Sequence, residues 1–316
     1  MIGIEMKKVG IVFPGQGSQY VGMGKKLYDS FDFVKEYFAR ADKALGFSIS
    51  DLCFNGPEDE LRQTYNTQPS LLLIGYVVWQ VLKDQTGIKP YLMAGHSLGE
   101  YTALLASGFF TFEDALAITH KRGLFMEEAC PKGKGGMVAL IGADMAKIGP
   151  ILEEISHDDY VAVPANLNSA EQVVLSGDAE ALKEAVEKSK GFYKKAIFLN
   201  VSGPFHSPLM RKAADRLKDE LSKLAHNDME VPVVFNVDAM PGQDKQSVED
   251  KLYRQMLSPV QWEMSVRKMA EQGVELFIEV GPQKVLTNLI KRIVPDIPCY
   301  NVESMEEIET IKGLLA

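Results

Sequence analysis

The stretch Tyr91–Gly99 reads YLMAGHSLG, an apolar run that leads into a Gly-x-Ser-x-Gly turn, and a helical pattern continues through Glu100–Ser107. This order predicts a buried strand, a tight turn and a helix, with Ser97 held out of the sheet where the helix begins. The N–H groups and partial positive charge of a helix N-terminus stabilise developing negative charge. The pattern therefore predicts a nucleophilic serine for acyl chemistry. The alternative is an ordinary strand-to-helix turn.

Strand and helix patterns alternate around this turn. A β-rich run covers Val9–Phe13, and helical periodicity covers Phe31–Leu45, Leu71–Thr86 and Phe112–Ala129. Such alternation predicts an α/β fold around a mainly parallel sheet. A cluster of turn formers at residues 131–136 then interrupts the rhythm.

A different order of elements follows this interruption. Between residues 137 and 199 the patterns read β-α-β-β-α-β, which is the order of a ferredoxin-like unit. After Pro204 the α/β rhythm resumes, with a strand expected at Val233–Val237 and helices at Leu209–Leu224, Ser265–Gln272 and Val285–Ile293. We therefore predict a discontinuous large domain of residues 1–133 and 204–316, with a ferredoxin-like small domain of residues 134–203 inserted in it.

Composition excludes several classes of function. The 316 residues include 34 basic and 43 acidic side chains, and the net charge of −9 disfavours nucleic-acid binding. The longest apolar stretch, Leu71–Leu82, is well short of the roughly 20 residues of a membrane span. Cys53, Cys130 and Cys299 are far apart, and no histidine cluster has metal-ligand spacing. We expect a cytoplasmic monomer with no metal site and no membrane association.

A serine hydroxyl needs a base to become a good nucleophile. Four of the five histidines are poorly placed for this role, because they adjoin the serine, lie within a helix or lie in polar loops: His96, His120, His157 and His226. The fifth, His206, lies in Ser202–Pro208, where two prolines restrain the loop and an aromatic neighbour can exclude water. We predict that His206 is the base. The alternative is a loop histidine that binds backbone.

Arg122 lies on an apolar helical stripe with Ala115, Ile118, Phe125 and Ala129. An arginine on such a face needs an anionic partner. One interpretation is a structural ion pair with a carboxylate of the same chain. The other is a guanidinium that grips a substrate carboxylate through two N–H bonds.

The stretch Phe13–Gln19 reads FPGQGSQ and follows the first predicted strand directly. Glycines on both sides of Gln16 allow the backbone to approach a ligand closely. The stretch lacks the complete glycine patterns of nucleotide-binding loops. A backbone N–H donor for an oxyanion fits it better.

Six motifs together resemble the malonyl-CoA:acyl carrier protein transacylases of fatty-acid synthesis, and the resemblance runs from Val9 nearly to the C-terminus. They are FPGQGSQ at 13–19, GHSLGEY at 95–101, KRG at 121–123, PFHS at 204–207, PVQW at 259–262 and EVGP at 279–282. The resemblance implies an α/β-hydrolase-like large domain with a ferredoxin-like insertion. Only Met1–Glu5 precede the usual start of such chains.

The resemblance also implies the chemistry. Ser97 would be acylated by malonyl-CoA, His206 would be general base and acid, and Arg122 would pair with the malonyl carboxylate. The second substrate would be the phosphopantetheine thiol of an acyl carrier protein, and no bound cofactor is expected.

Four supporting positions follow from the resemblance alone. The N–H groups of Gln16 and Leu98 would form the oxyanion hole, and a backbone carbonyl near Gln261 would orient the histidine. Asn166, in the small-domain segment, would touch the substrate. Because carriers of this family are acidic, a basic patch is expected to dock them, either on the small domain or on the large one: Lys188, Lys190, Lys194 and Lys195, or Lys284, Lys291 and Arg292.

Three alternatives remain open at the level of sequence. A stand-alone acyltransferase of a polyketide synthase would share every residue named above. A serine esterase would also use Gly-x-Ser-x-Gly, but it expects an acid after the serine and a histidine near the C-terminus, whereas 110 residues follow His206. A binding module with a vestigial site would not need Ser97, His206 and Arg122 intact.

Overall fold

Two β-sheets organise the part of the chain that the computed structural model describes, which comprises residues 7–131, 133–158, 160–242 and 244–315. The N-terminal stretch Met1–Glu5 lies outside these residues. The strands in chain order are β1 (Val9–Phe13), β2 (Leu92–Gly95), β3 (Gly135–Ile141), β4 (Ala162–Ser169), β5 (Gln172–Asp178), β6 (Lys195–Phe198), β7 (Val233–Val234), β8 (Pro241–Gly242), β9 (Leu276–Val280) and β10 (Cys299–Val302).

The larger sheet has the order β10-β9-β1-β2-β7-β8 and the smaller sheet the order β4-β5-β3-β6. In the larger sheet the pairs from β10 to β7 are parallel, and β8 is antiparallel to β7. Every described pair of the smaller sheet is antiparallel. The prediction of an α/β fold is confirmed, and the larger sheet is mainly parallel.

Helices surround both sheets. They are α1 (Lys25–Ser30), α2 (Asp32–Leu45), α3 (Ile49–Asn55), α4 (Glu58–Leu61), α5 (Thr64–Thr86), α6 (Leu98–Ala106), α7 (Phe112–Glu128), α8 (Met145–Ile155), α9 (Ala179–Lys188), α10 (Arg211–Leu221), α11 (Lys245–Leu257), α12 (Trp262–Glu271), α13 (Val285–Ile293) and α14 (Met305–Leu315), with a 3-10 turn at Pro208–Met210. Within the described ranges, no helix is long and apolar enough to cross a membrane.

The smaller sheet and its two helices follow the predicted order β-α-β-β-α-β, as β3-α8-β4-β5-α9-β6. They enclose a hydrophobic cluster of their own, which includes Val138, Ile148 and Leu182. Strand β4 also bonds to the larger part of the chain. The N–H of Leu167 donates to the Val260 carbonyl, and the N–H of Val260 donates to the Ala165 carbonyl, each at 2.9 Å. This isolated parallel bridge joins the smaller sheet to the segment just before α12.

Helix α5 begins seven residues before the predicted start at Leu71, and it contains Pro69. A proline lacks the N–H that would bond to the carbonyl four residues earlier, so a helix normally avoids it. Here that carbonyl belongs to Tyr65, and Nδ1 of His120 donates to it at 2.8 Å. A side chain of the neighbouring helix α7 therefore replaces the missing bond.

Helix α11 was not predicted, although it lies between the predicted strand Val233–Val237 and the next predicted helix. Its sequence is mostly polar, and only a narrow stripe of Val248, Leu252 and Met256 is deeply buried among its apolar residues. The strand before it is also shorter than predicted, because β7 ends at Val234. Helix α11 brings its last turn to the end of β2, beside Ser97.

Helix α7 packs closely against the start of α5 at Gly123. A Cβ at this position would lie 2.4 Å from Cα of Tyr65 and 2.7 Å from the Thr64 carbonyl oxygen. We expect Gly123→Ala to lower the free energy of unfolding by about 1–3 kcal/mol, because backbone cannot yield as a flexible side chain can. Urea denaturation measures the change.

Gly313→Ala is the matched control, since an added Cβ there meets nothing within 4 Å on helix α14. Alanine is the better helix former, so the control should be neutral or stabilised by up to about 1 kcal/mol. Equal stability of the two variants would contradict the close packing of α5 on α7.

Candidate active site

Ser97 lies between β2 and α6 with φ of 51° and ψ of −102°, a conformation that non-glycine residues rarely adopt. The two flanking glycines permit the turn. A Cβ at Gly95 would lie 1.9 Å from the Gly99 carbonyl carbon, and one at Gly99 would lie 2.0 Å from the Phe13 carbonyl oxygen. The predicted strand, turn and helix are confirmed, and the turn presses against the end of β1.

His206 meets this serine directly. Its Nε2 lies 2.7 Å from the Ser97 Oγ, and its Nδ1 lies 2.7 Å from the carbonyl oxygen of Gln255. A carbonyl only accepts, so Nδ1 carries the proton and Nε2 offers its lone pair to the serine hydroxyl. The pair therefore has the geometry in which a histidine removes the hydroxyl proton of a serine.

The residue that orients His206 is Gln255, not Gln261 as predicted. The Gln261 carbonyl instead accepts the N–H of Ser265 at 2.9 Å and its hydroxyl at 2.8 Å, at the start of α12. Gln255 lies in the last turn of α11, where helix carbonyls have no partner within the helix. Gln261 was predicted in place of Gln255 because the sequence patterns did not predict helix α11.

Arg122 is completely buried on α7 and reaches the same serine. Its Nη2 donates to the Ser97 Oγ at 3.2 Å and to the Gln255 Oε1 at 3.0 Å, and its Nη1 donates to the Gln68 Oε1 at 2.7 Å. The Tyr101 ring centre lies 5.1 Å from the guanidinium carbon. The oxygens around the cation are thus neutral.

No carboxylate of the described residues lies within ion-pair distance of Arg122. Its Nε–H is also buried without a partner among those residues. The interpretation of Arg122 as half of a structural ion pair is therefore wrong for the described part of the chain. Glu100 acts on Arg122 electrostatically without an ion-pair contact, and burial raises the pKa of that carboxyl to about 8. A buried cation without a direct anionic partner is costly, so the site favours an anionic ligand.

Burial and charge both act on the histidine. Burial is the larger cause and the nearby Arg122 cation the smaller one, and together they lower the pKa of His206 to about 3. Burial also lowers the pKa of Arg122 and raises the pKa of the neighbouring Glu100 to about 8. The ring is consequently neutral at physiological pH, which is the form that accepts a proton.

Three other predicted residues line the same pocket as Ser97: Gln16, Leu98 and Asn166. Phe205, Met126 and Leu199 form part of the apolar wall of this pocket. Asn166 is 7% exposed on β4. None of the hydrogen bonds within the described ranges uses the N–H of Gln16 or of Leu98, whereas the Ser97 N–H donates to Asn236 Oδ1 at 2.8 Å. The N–H groups of Gln16 and Leu98 therefore have no hydrogen-bond partner among the described residues.

Sequence reasoning missed three polar residues of the site: Gln68, Asn236 and Gln255. Gln68 and Gln255 bind Arg122, and Asn236 binds the backbone of the serine turn. Asn236 has a usable signal, because it follows an apolar strand that ends at the same sheet edge as β2. Gln68, next to a proline, and Gln255, in a polar segment, have no such signal.

The described residues contain no group of three or more His, Cys, Asp or Glu side chains that could hold a metal ion. His96, which adjoins the serine, bonds through Nε2 to the Asn168 Oδ1 at 2.8 Å and faces the Trp262 ring. The Nε2 of His96 is thus already hydrogen-bonded to a residue of the smaller sheet. Of the described histidines, His206 is the one placed against Ser97.

A serine hydroxyl bonded to a neutral histidine, with unused backbone N–H groups beside it, is an arrangement typical of enzymes that transfer acyl groups. The model of the acyl transferase domain family matches residues 11–312. The chain belongs to the malonyl CoA-acyl carrier protein transacylase family of acyl transferases.

Relatives of that name resemble the chain over nearly its whole length. The protein of Bacillus subtilis is 43% identical and that of Salmonella typhimurium 47% identical, over 96% and 92% of this chain and 96% and 94% of theirs. The solved transacylase of Coxiella burnetii superposes with a TM-score of 0.94 at 39% identity and 98% coverage of both chains. A type II PKS acyl-carrier protein in complex with its malonyl-transacylase superposes with a TM-score of 0.93 at 39% identity, over 97% of this chain and 99% of that one.

The low pKa of His206 predicts an unusual pH profile. Only the neutral ring can accept the serine proton, and a pKa of about 3 keeps the ring neutral until the pH falls toward 3. We expect the rate constant for reaction of Ser97 with a serine-directed fluorophosphonate to change less than about threefold between about pH 5 and pH 8. An inflection near the ordinary value of 6.5 would contradict this environment.

Proposed function

We propose that the chain transfers the malonyl group of malonyl-CoA to the phosphopantetheine thiol of acyl carrier protein, through a malonyl ester on Ser97. The observation that carries the proposal is Arg122, a buried cation 3.2 Å from the Ser97 Oγ with no carboxylate partner in the described chain. Malonyl carries a free carboxylate beyond its thioester. Arg122 would bind that carboxylate while the thioester carbonyl lies against the serine.

In the first half of the reaction, Nε2 of His206 takes the hydroxyl proton and the Ser97 Oγ attacks the thioester carbonyl. The resulting oxyanion accepts hydrogen bonds from the N–H groups of Gln16 and Leu98. When the carbon–sulfur bond breaks, the CoA thiolate leaves with the proton held by His206. The products are free CoA and malonyl-Ser97.

In the second half, the carrier thiol gives its proton to His206 and its sulfur attacks the ester carbonyl. The same N–H groups stabilise the second oxyanion, and the Ser97 Oγ regains a proton from His206 as the ester breaks. Acyl group and protons balance over the two halves, so the chemistry needs no cofactor. Asn166, which lines the pocket from the small sheet, would contact the bound acyl group.

We infer that residues 1–133 and 204–316 form an α/β-hydrolase-like domain and that residues 134–203 form a ferredoxin-like domain. Strand ranges support this division, since each sheet draws its strands from one of these parts only. The antiparallel order β4-β5-β3-β6 and the separate hydrophobic cluster support the second assignment. The cytoplasmic location and the monomeric state stay predictions.

A stand-alone polyketide acyltransferase is a second candidate. It is favoured by the similarity to a malonyl-transacylase solved with a type II PKS acyl-carrier protein. The two candidates differ in the carrier, and transfer rates to fatty-acid and polyketide carriers separate them.

The small-domain lysines differ in how free they are to dock an acidic carrier. Lys188 and Lys190 already form ion pairs with glutamates, whereas Lys194 and Lys195 form none with the described residues.

An esterase agrees less well with the site. The histidine of such an enzyme is held by a carboxylate, whereas the Nδ1 of His206 binds the Gln255 carbonyl. The cationic Arg122 also suits an anionic acyl group better than a neutral ester.

Replacing the nucleophile tests the covalent step. After the parent protein is mixed with malonyl-CoA, intact mass spectrometry should show one malonyl adduct, because the ester persists until a thiol acceptor arrives. Ser97→Ala lacks the hydroxyl and should show none. A malonyl adduct on Ser97→Ala would contradict the assignment of the nucleophile.

Replacing the cation tests the acyl specificity. We expect Arg122→Ala to lower kcat/KM for malonyl transfer by at least about a hundredfold, because a charge-assisted bidentate bond is lost. Transfer of acetyl, which has no free carboxylate, should change far less. Parallel assays with malonyl-CoA and acetyl-CoA measure both, and equal losses would contradict carboxylate binding.

A further inference from the structure

We propose that Asn236 is a positioning residue for the reaction, because its side-chain amide continues the pairing of β2 with β7 and thereby fixes the turn that carries Ser97. Glu100 holds Asn236 in place for this role. The inference rests on the proposed function, since it takes Ser97 as the nucleophile.

The side-chain amide of Asn236 bonds to β2 as a backbone peptide group of a longer β7 would. Strand β7 pairs with β2 only at Val233 and Val234. Beyond that point the Asn236 Nδ2 donates to the Gly95 carbonyl at 2.7 Å, and its Oδ1 accepts the Ser97 N–H at 2.8 Å. In a parallel ladder one residue bonds in this way to two residues that are two apart on the neighbouring strand. The amide thus extends the ladder to the nucleophile.

The serine turn needs such support. Ser97 has a φ of 51°, and a backbone in this region persists only where the surrounding structure holds it firmly. The bond to Asn236 also consumes the Ser97 N–H, so the next N–H, that of Leu98, is the one left for an oxyanion. A change at Asn236 would therefore misplace both the hydroxyl and its oxyanion donor.

Asn236 is itself held on every side. Its N–H donates to the Glu100 Oε2 at 2.5 Å, and its carbonyl accepts the N–H of Gln261 at 2.8 Å. Gln255 donates through Nε2 to the Ser97 carbonyl at 2.9 Å and to the Asn236 Oδ1 at 3.4 Å. Asn236, Glu100 and Gln255 are completely buried. These partners fix which end of the amide is oxygen and which is nitrogen.

An aspartate at position 236 would have nearly the same shape but could not donate to the Gly95 carbonyl. Two acceptors would then face each other in a buried site, which is costly. Glu100 has a different requirement, because it needs only an oxygen acceptor for the Asn236 N–H. A glutamine at position 100 offers that oxygen, whereas an alanine does not.

The experiment measures the rate at which a serine-directed fluorophosphonate labels Ser97, together with kcat and KM for malonyl transfer. We expect Asn236→Asp to label on the order of tenfold to hundredfold more slowly and to lose kcat by a similar factor, with KM for malonyl-CoA within about threefold. Asn288→Asp makes the same chemical change on the exposed face of α13 and should match the unsubstituted enzyme.

A second pair of variants keeps the test decisive if Asn236→Asp folds poorly. Glu100→Ala should slow labelling about tenfold, and Glu100→Gln should stay within about threefold of the unsubstituted enzyme. A merely structural role would lower the fraction of enzyme that labels, which mass spectrometry counts, and leave the rate constant of the folded fraction unchanged.

Labelling of folded Asn236→Asp at the unsubstituted rate would overturn the inference, and so would equal rates for Glu100→Ala and Glu100→Gln. A lack of labelling of Ser97 in the unsubstituted enzyme, with an adduct elsewhere, would instead overturn the proposed nucleophile and this inference with it. The two failures are therefore distinguishable.

Discussion

The buried guanidinium of Arg122 is the constraint on which the rest of the site depends. Removing a cation from water costs several kcal/mol unless an anion compensates it. Within the described chain its nearest polar partners are the neutral oxygens of Gln68, Gln255 and Ser97. On the proposed function, the substrate carboxylate supplies the missing charge. Only acyl groups that carry a negative charge of their own then gain the binding energy of pairing with Arg122.

The same cation also acts on His206. Together with burial it lowers the pKa of His206, so the ring remains neutral beside the serine. Gln255 connects these parts, because its backbone carbonyl holds His206, its side-chain oxygen accepts from Arg122 and its side-chain nitrogen donates to the Ser97 carbonyl. One residue at the end of α11 thereby connects His206, Arg122 and Ser97.

The sequence was sufficient for the parts of the molecule with local signals. The apolar run before Gly95, the two prolines around His206 and the arginine on an apolar stripe each predicted a side chain that the structure brings to one pocket. The alternation of strands and helices predicted the α/β fold, and the changed order after residue 136 predicted the second sheet.

The remaining parts leave no local signal, for identifiable reasons. A backbone carbonyl can come from any residue, so Gln255 could not be told from Gln261 without knowing that α11 exists. That helix is polar because it buries only a narrow stripe. The early start of α5 was hidden by Pro69, whose lost bond is replaced by a histidine 51 positions further along the chain, His120. The bond from His206 to Gln255 and the early start of α5 both depend on contacts between segments far apart in the sequence.

A crystal structure of the malonyl-enzyme, trapped before a thiol acceptor is added, would show which residues bind the acyl carboxylate. We expect a malonyl ester on Ser97 whose free carboxylate accepts two hydrogen bonds from Arg122, at about 2.7–2.9 Å. A carboxylate directed to solvent, with Arg122 still bound only to Gln68 and Gln255, would contradict it.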